Sequence, residues 1–127
     1  MNRSLARTMA EGLAWSRVAL GATAIVLPSI PLRPWVGRDE AWRPRSRLLA
    51  RALGGRDVAL GLGVVMAMRK KSPARGWVEA GGVADAGDVL ATLLAFPSLP
   101  KRGRMMVLGA AGGAVAVARL TAPSVDS

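Results

Sequence analysis

The sequence predicts an all-α polytopic membrane protein, four transmembrane helices in a compact bundle forming one domain over residues 1–127. Three observations predict it. Four apolar segments recur along the chain, helix breakers and positive charges fall between them, and the apolar mass is Ala, Val, Leu and Gly. Only five residues are aromatic, Trp15, Trp35, Trp42, Trp77 and Phe96. A water-soluble core of this size draws more heavily on large side chains, whereas small residues at this density let helices approach closely in lipid.

The first segment runs from about Leu13 to Pro31, the second from Leu48 to Met68, the third from Trp77 to Phe96 and the fourth from Met105 to Leu120. Each approaches the ~20 residues that cross ~30 Å of hydrocarbon, the fourth being short. Pro28, Pro31 and Pro34 close the first segment, Ser72-Pro73 lies in the second connection, and Pro97 with Pro100 ends the third. Trp35, Trp42 and Trp77 fall near the predicted membrane–water boundaries, where an amphipathic indole is favoured. Arg3 and Arg7 precede the first apolar run as in a signal peptide, but Glu11 and Arg17 interrupt that run and no small-residue cleavage site follows, so a retained helix is expected.

The formal net charge is +10. A basic chain invites a nucleic-acid reading, but the positions of the charges point to a membrane surface instead. Twelve of the eighteen basic residues lie in three short connections: Arg33, Arg38, Arg43, Arg45 and Arg47; Arg69, Lys70, Lys71 and Arg75; Lys101, Arg102 and Arg104. Such loops meet anionic headgroups, so membrane lipids are the expected partners and nucleic acid is not. With Arg3 and Arg7 joined to the second connection, the positives divide six against eight, too evenly to orient the chain.

Cys, His and Tyr are absent. Thiolate or imidazole zinc sites, Cys or Ser–His nucleophiles and histidine pH switching are thereby excluded within the chain. No cofactor or metal is expected, and only carboxylate acid–base chemistry would remain for an enzyme. A GxGxxG phosphate loop is also absent. Gly109 and Gly113 form a GxxxG pair suited to packing inside the bundle or between copies.

The stretch GGRDVALGLG, residues 54 to 63, sets Arg56 and Asp57 side by side in the middle of an apolar run. Eight ionisable groups lie in or at the edges of the four segments: Arg17, Arg51, Arg56, Asp57, Glu79, Asp85, Asp88 and Arg119. A lone charge at mid-bilayer costs about 2.5–3.5 kcal/mol even on a lenient scale, so such groups face the bundle interior and pair. Asp85 and Asp88, three apart, share one helical face and can be bridged by one guanidinium. An antiparallel hairpin of the second and third helices would bring them level with Arg56, while Asp57 would turn toward Arg17. The expected network is therefore Arg17–Asp57 and Arg56–Asp85/Asp88. Arg51, Glu79 and Arg119 lie closer to helix ends, where long side chains snorkel.

Arg17 in the first helix, G-R-D-x-x-L-G in the second (Gly55, Arg56, Asp57, Leu60, Gly61) and D-x-x-D in the third (Asp85, Asp88) together resemble a family of small actinobacterial four-helix integral membrane proteins of unassigned function. The resemblance spans roughly residues 10 to 120 and implies an integral helical bundle, with no activity attached. The expected setting is the bacterial plasma (inner) membrane, crossed several times. The expected role is a non-enzymatic accessory or scaffold subunit that packs on a larger membrane protein complex or on itself. The alternative is a small transporter or ion-conducting oligomer using Asp85 and Asp88, since two close carboxylates at mid-depth can bind a cation or pass a proton.

Overall fold

Six α-helices and two short 3-10 turns, with no strands, make up the computed structural model, which describes residues 1–127. The first helix, α1, covers Arg3–Val26. Its start is fixed by Asn2, whose side chain accepts the Ser4 N–H at 3.0 Å, a local cap for the first turn. It begins ten residues before the apolar segment, because Arg3, Arg7 and Glu11 at four-residue spacing continue the helix as a polar extension. It ends before Pro28, which disfavours helical backbone in the residue preceding it.

Pro28 ends α1, but the three prolines do not end helical structure. The chain bends by 97° into α2, Ser29–Val36, which contains Pro31 and Pro34. Gly37, at φ +95°, then terminates α2 in a conformation that L side chains rarely adopt. The single turn α3, Arg38–Ala41, leads through Arg43 to α4, Pro44–Arg69, with proline at the first helical position where its missing N–H is no loss. A Schellman closure ends α4. Lys71 adopts φ +54° and the Ser72 N–H donates to the Ala67 carbonyl at 2.8 Å. The last two helices are α5, Arg75–Leu94, and α6, Lys101–Thr121. At 21 residues, α6 is longer than its apolar segment because Lys101, Arg102 and Arg104 form its first turn.

The long helices alternate in direction. Gly21 meets Gly54 while Ala14 meets Gly61, which makes α1 and α4 antiparallel partners along a close seam. The α5 and α6 helices form the second extensively packed pair, and α4 meets α5 in the hairpin expected from the short connection. One end of the bundle is crossed by α2, which reaches from α1 over to α6, where Gly103 lies under the Pro34 and Trp35 carbonyls. At the other end the C-terminal residues fold back. Val125 is fully buried, its carbonyl accepts from Arg7, and the Asp126 carboxylate accepts the N–H groups of Ala74 and Arg75 at 2.8 and 2.9 Å. Asp126 thus caps the start of α5 from fifty residues away. Asp126→Ala should cost about 1 kcal/mol, the usual worth of such a cap. Chemical unfolding would detect it as a lower midpoint, and an unchanged midpoint would mean that water serves those amides equally well.

The interior is built largely from small side chains. Ala6, Ala10, Ala14, Arg17, Gly21 and Ala24 form the buried face of α1, and the bulkiest side chains that are fully buried anywhere are Val125, Thr92 and Thr121. Many large apolar side chains point outward instead, among them Leu20, Val26, Leu48, Leu49, Val83, Leu90, Leu94 and Met105. The core is thus leaner in large side chains than usual, with Leu32, Val64, Val65, Met68, Val78 and Val125 as its larger apolar members.

One helix is long and apolar enough to cross a membrane, α6 with its terminal turn, Lys101–Ser124; a second is gained if the bent pair α1 and α2 counts as one span. Four apolar segments were expected to span. The difference lies in α4 and α5, whose central turns carry Arg56, Asp57, Asp85 and Asp88 among their apolar residues.

Candidate functional site

The five charged residues singled out by the sequence lie together between α1, α4 and α5. Arg17 comes from the buried face of α1 and reaches both neighbouring helices. Its Nη2 donates to the Asp85 carboxylate and, at 3.0 Å, to the Gly81 carbonyl, while Nη1 lies 3.5 Å from Asp57 Oδ1. On the same level, Arg56 grips Asp88 with two parallel hydrogen bonds, Nη1 to Oδ1 at 3.1 Å and Nη2 to Oδ2 at 2.9 Å. This fork geometry is among the stronger side-chain interactions available.

Asp57 joins the two halves. Its Oδ1 accepts from Arg17 and also from Arg56 Nε and Nη2, at 3.2 and 3.1 Å. Sequence neighbours on a helix point about 100° apart, and on that ground Asp57 was expected to turn away from Arg56. The guanidinium is long enough to fold back to it. Asp85 also differs from expectation, pairing with Arg17 rather than with Arg56.

Arg17 finds room because residue 81 is glycine. A Cβ there would stand 3.1 to 3.3 Å from the guanidinium. The sequence marks Gly81 as a glycine suited to close backbone approach but does not tie it to the ion network, although its place one helical turn before Asp85, on the same face, is a legible signal.

The remaining edge charges are placed apart from this network. Arg51 Nε donates to the Ile25 carbonyl at 3.0 Å, satisfying the C-terminal end of α1. Glu79 pairs with Arg75 at 2.6 Å on the surface, and that contact raises the Arg75 pKa. Arg119 takes part in no ion pair.

Burial differs along the network. The side chains of Arg17 and Asp85 are each 9% exposed, whereas Arg56 and Asp88 are 30% and 23% exposed. The Arg17 end is sealed, and the Arg56–Asp88 end opens sideways between α4 and α5. The space beside Arg17, bounded by Leu60, Val64 and Trp77, measures about 10 Å³, room for one water at most. A hydrated ion does not fit there. Charges are also unequal within the network, two guanidinium groups against three carboxylates. The carboxylates nevertheless face arginines rather than converging as a metal-ligand set.

Arginine also meets aromatic rings at the end crossed by α2. The Arg33 and Arg47 guanidinium carbons stand 5.5 and 5.7 Å from the Trp42 ring centre, within cation–π range.

Fold and site together define a class: an α-helical bundle with an alanine- and glycine-rich interior, an internal arginine–aspartate network and many large apolar side chains on its exterior. Set against family models, curated proteins and solved structures, the chain matches none.

Proposed function

We propose that the chain is a four-span integral protein of the bacterial plasma membrane, as in the actinobacterial family it resembles, and that it acts without catalysis as an accessory or scaffold subunit. This distribution of side chains supports the membrane setting. Water would strongly disfavour so many exposed Leu, Val and Met residues, whereas hydrocarbon accepts them and leaves close contacts of Ala and Gly to hold the helices. Pairing lets α4 and α5 enter lipid despite their charges.

The observation that carries the subunit role is the half-open Arg56–Asp88 pair. It lies near the middle of α4 and α5, the depth at which a charge facing lipid is most costly. A neighbouring helix, from a larger assembly or from a second copy, covers it. Anionic headgroups meet the basic connections at both ends.

The spans are testable because the chain has no native cysteine. Single cysteines at Ser72 and Ser127 should react with an impermeant maleimide from one side of the membrane, and cysteines at Asp39 and Ser98 from the other. Labelling of all four from one side would remove the four-span reading, and release of the protein by alkaline carbonate would remove the membrane reading. For the role itself, the protein is purified in mild detergent and its companions are identified by mass spectrometry. A stoichiometric partner or homo-oligomer should be present and should be lost on Arg56→Gln/Asp88→Asn, which neutralises both sides of the open pair. A bare monomer would overturn the subunit role.

The surplus carboxylate favours a second reading, a transporter or ion-conducting oligomer using Asp85 and Asp88. On that reading Asp88→Asn leaves folding intact and abolishes proton or cation flux in reconstituted vesicles. Intact folding with unchanged flux sinks it.

A further inference from the structure

The faces of α5 and α6 that turn away from the ion network open into a cleft of about 390 Å³, a volume within the range of small-molecule sites, about 300–1,000 Å³. Its lining is graded. Arg75, Glu79 and Arg119 stand at the end near the C-terminal fold-back, and Val83, Ala86 and Val115 line the part further in. Along α5 the distance from Arg75 to Ala86 is about 16 Å at 1.5 Å per residue. That is about half the ~30 Å hydrocarbon core, the depth of one leaflet.

We propose that this cleft seats one anionic phospholipid, with an acyl chain along Val83, Ala86 and Val115 and its phosphate against Arg119 and Arg75. The inference rests on the membrane reading given above and adds to it a defined lipid site. Charge complementarity selects the headgroup. Arg119 has no carboxylate partner. Arg75 donates its Nε–H to Glu79 and keeps its terminal nitrogens for another acceptor. Glu79 and the Asp126 carboxylate, the latter held on the Ala74 and Arg75 amides, offset Arg75, so Arg119 is the cation left without a carboxylate at the cleft head, matching one phosphodiester. Guanidinium forks are suited to phosphate oxygens. A zwitterionic lipid would bring its own cation to that point and lose the advantage. The cleft also lies against α6, the one helix that is by itself long and apolar enough to cross a membrane, so in the proposed membrane setting its apolar part faces acyl chains.

The test is native mass spectrometry of the protein released from nanodiscs of equal dioleoylphosphatidylglycerol and dioleoylphosphatidylcholine. The wild type should carry one phosphatidylglycerol. Arg119→Gln removes the headgroup contact and Ala86→Trp fills the cleft, both at exposed positions. Each should lower the retained phosphatidylglycerol at least tenfold with helical circular dichroism unchanged. Arg33→Gln removes the same charge at the opposite end and should retain the lipid. Equal retention of phosphatidylcholine, or equal loss in Arg33→Gln, would reduce the effect to general charge and overturn the site. So would displacement of the lipid by oleate at equal concentration, which would assign the cleft to a fatty acid, or a dimer in which Ala86→Trp breaks association. Should the variants lose helicity, phosphatidylglycerol and phosphatidylcholine are compared on the wild type by thermal melting in detergent; stabilisation by both alike overturns the site. A protein that fails to incorporate into nanodiscs contradicts the membrane reading itself, whereas incorporation without bound phosphatidylglycerol contradicts the site alone.

Discussion

Arg17→Ala is expected to destabilise the protein by about 3–5 kcal/mol, the cost of breaking a buried ion pair by deleting one partner. Asp85 has no cation other than Arg17 within salt-bridge distance and is nearly closed off from solvent. Removing the guanidinium therefore leaves a buried carboxylate unpaired and strips one donor from Asp57. Removing both partners is a different matter. Arg17→Ala/Asp85→Ala leaves a cavity but no stranded charge, so the double variant should be more stable than the sum of the single losses implies, with a coupling of about 1–3 kcal/mol. Arg17→Lys should fall between wild type and alanine, because one ammonium cannot reproduce a planar fork reaching Asp57, Asp85 and the Gly81 carbonyl. Unfolding by SDS in mixed micelles, followed by loss of helical circular dichroism, gives these differences. Additive single and double losses would show that Arg17 and Asp85 do not act as a pair.

Neighbouring glycines should respond with opposite signs. A methyl group on Gly54 would stand 2.5 Å from the Gly21 carbonyl oxygen and 2.9 Å from Ala24 Cβ, whereas one on Gly55 meets nothing within 4 Å. Gly54→Ala forces α1 and α4 apart and should cost about 1–3 kcal/mol, the range for overpacking a close contact. Gly55→Ala leaves packing untouched and should gain up to about 1 kcal/mol from helix propensity. Leucine at the same two positions widens the gap. The same micelle titration measures both, and equal responses would mean that the seam is looser than described.

Much of this architecture is legible in the sequence. The four long helices follow from apolar runs separated by proline-containing connections, and the five network residues from charges that apolar helices tolerate only when paired. Partner choice was harder to read. Helical angles place Asp57 away from Arg56, but they describe Cβ directions and not the reach of a guanidinium. Asp85 was paired with the wrong arginine because the extensive contact between α1 and α4, which carries Arg17 into the centre, is set by Gly21, Gly54 and Gly61 across a long sequence separation. The polar start of α1 is invisible to hydropathy, though its four-residue charge spacing is a helical signature. Pro28, Pro31 and Pro34 read as a stop, yet only Pro28 acts as one; Pro31 falls in the first turn of α2, where an amide hydrogen is dispensable. The cap from Asp126 leaves no local signal at all.

The 97° bend between α1 and α2 also bears on how the bundle would respond to a bilayer of changing thickness. A straight helix can slide along the membrane normal or tilt to hide a mismatch. Here the segment after the bend is fastened to α6 at Gly103 and bears Arg33 beside Trp42, groups that resist entry into hydrocarbon, while Leu32 is held among Ala41, Ala50 and Trp35. Sinking the bundle would draw the cation into acyl chains, and raising it would pull apolar residues into water. In the proposed membrane setting the bent segment therefore acts as a float line, fixing the vertical position of the ion network and leaving the surrounding lipid to deform around it.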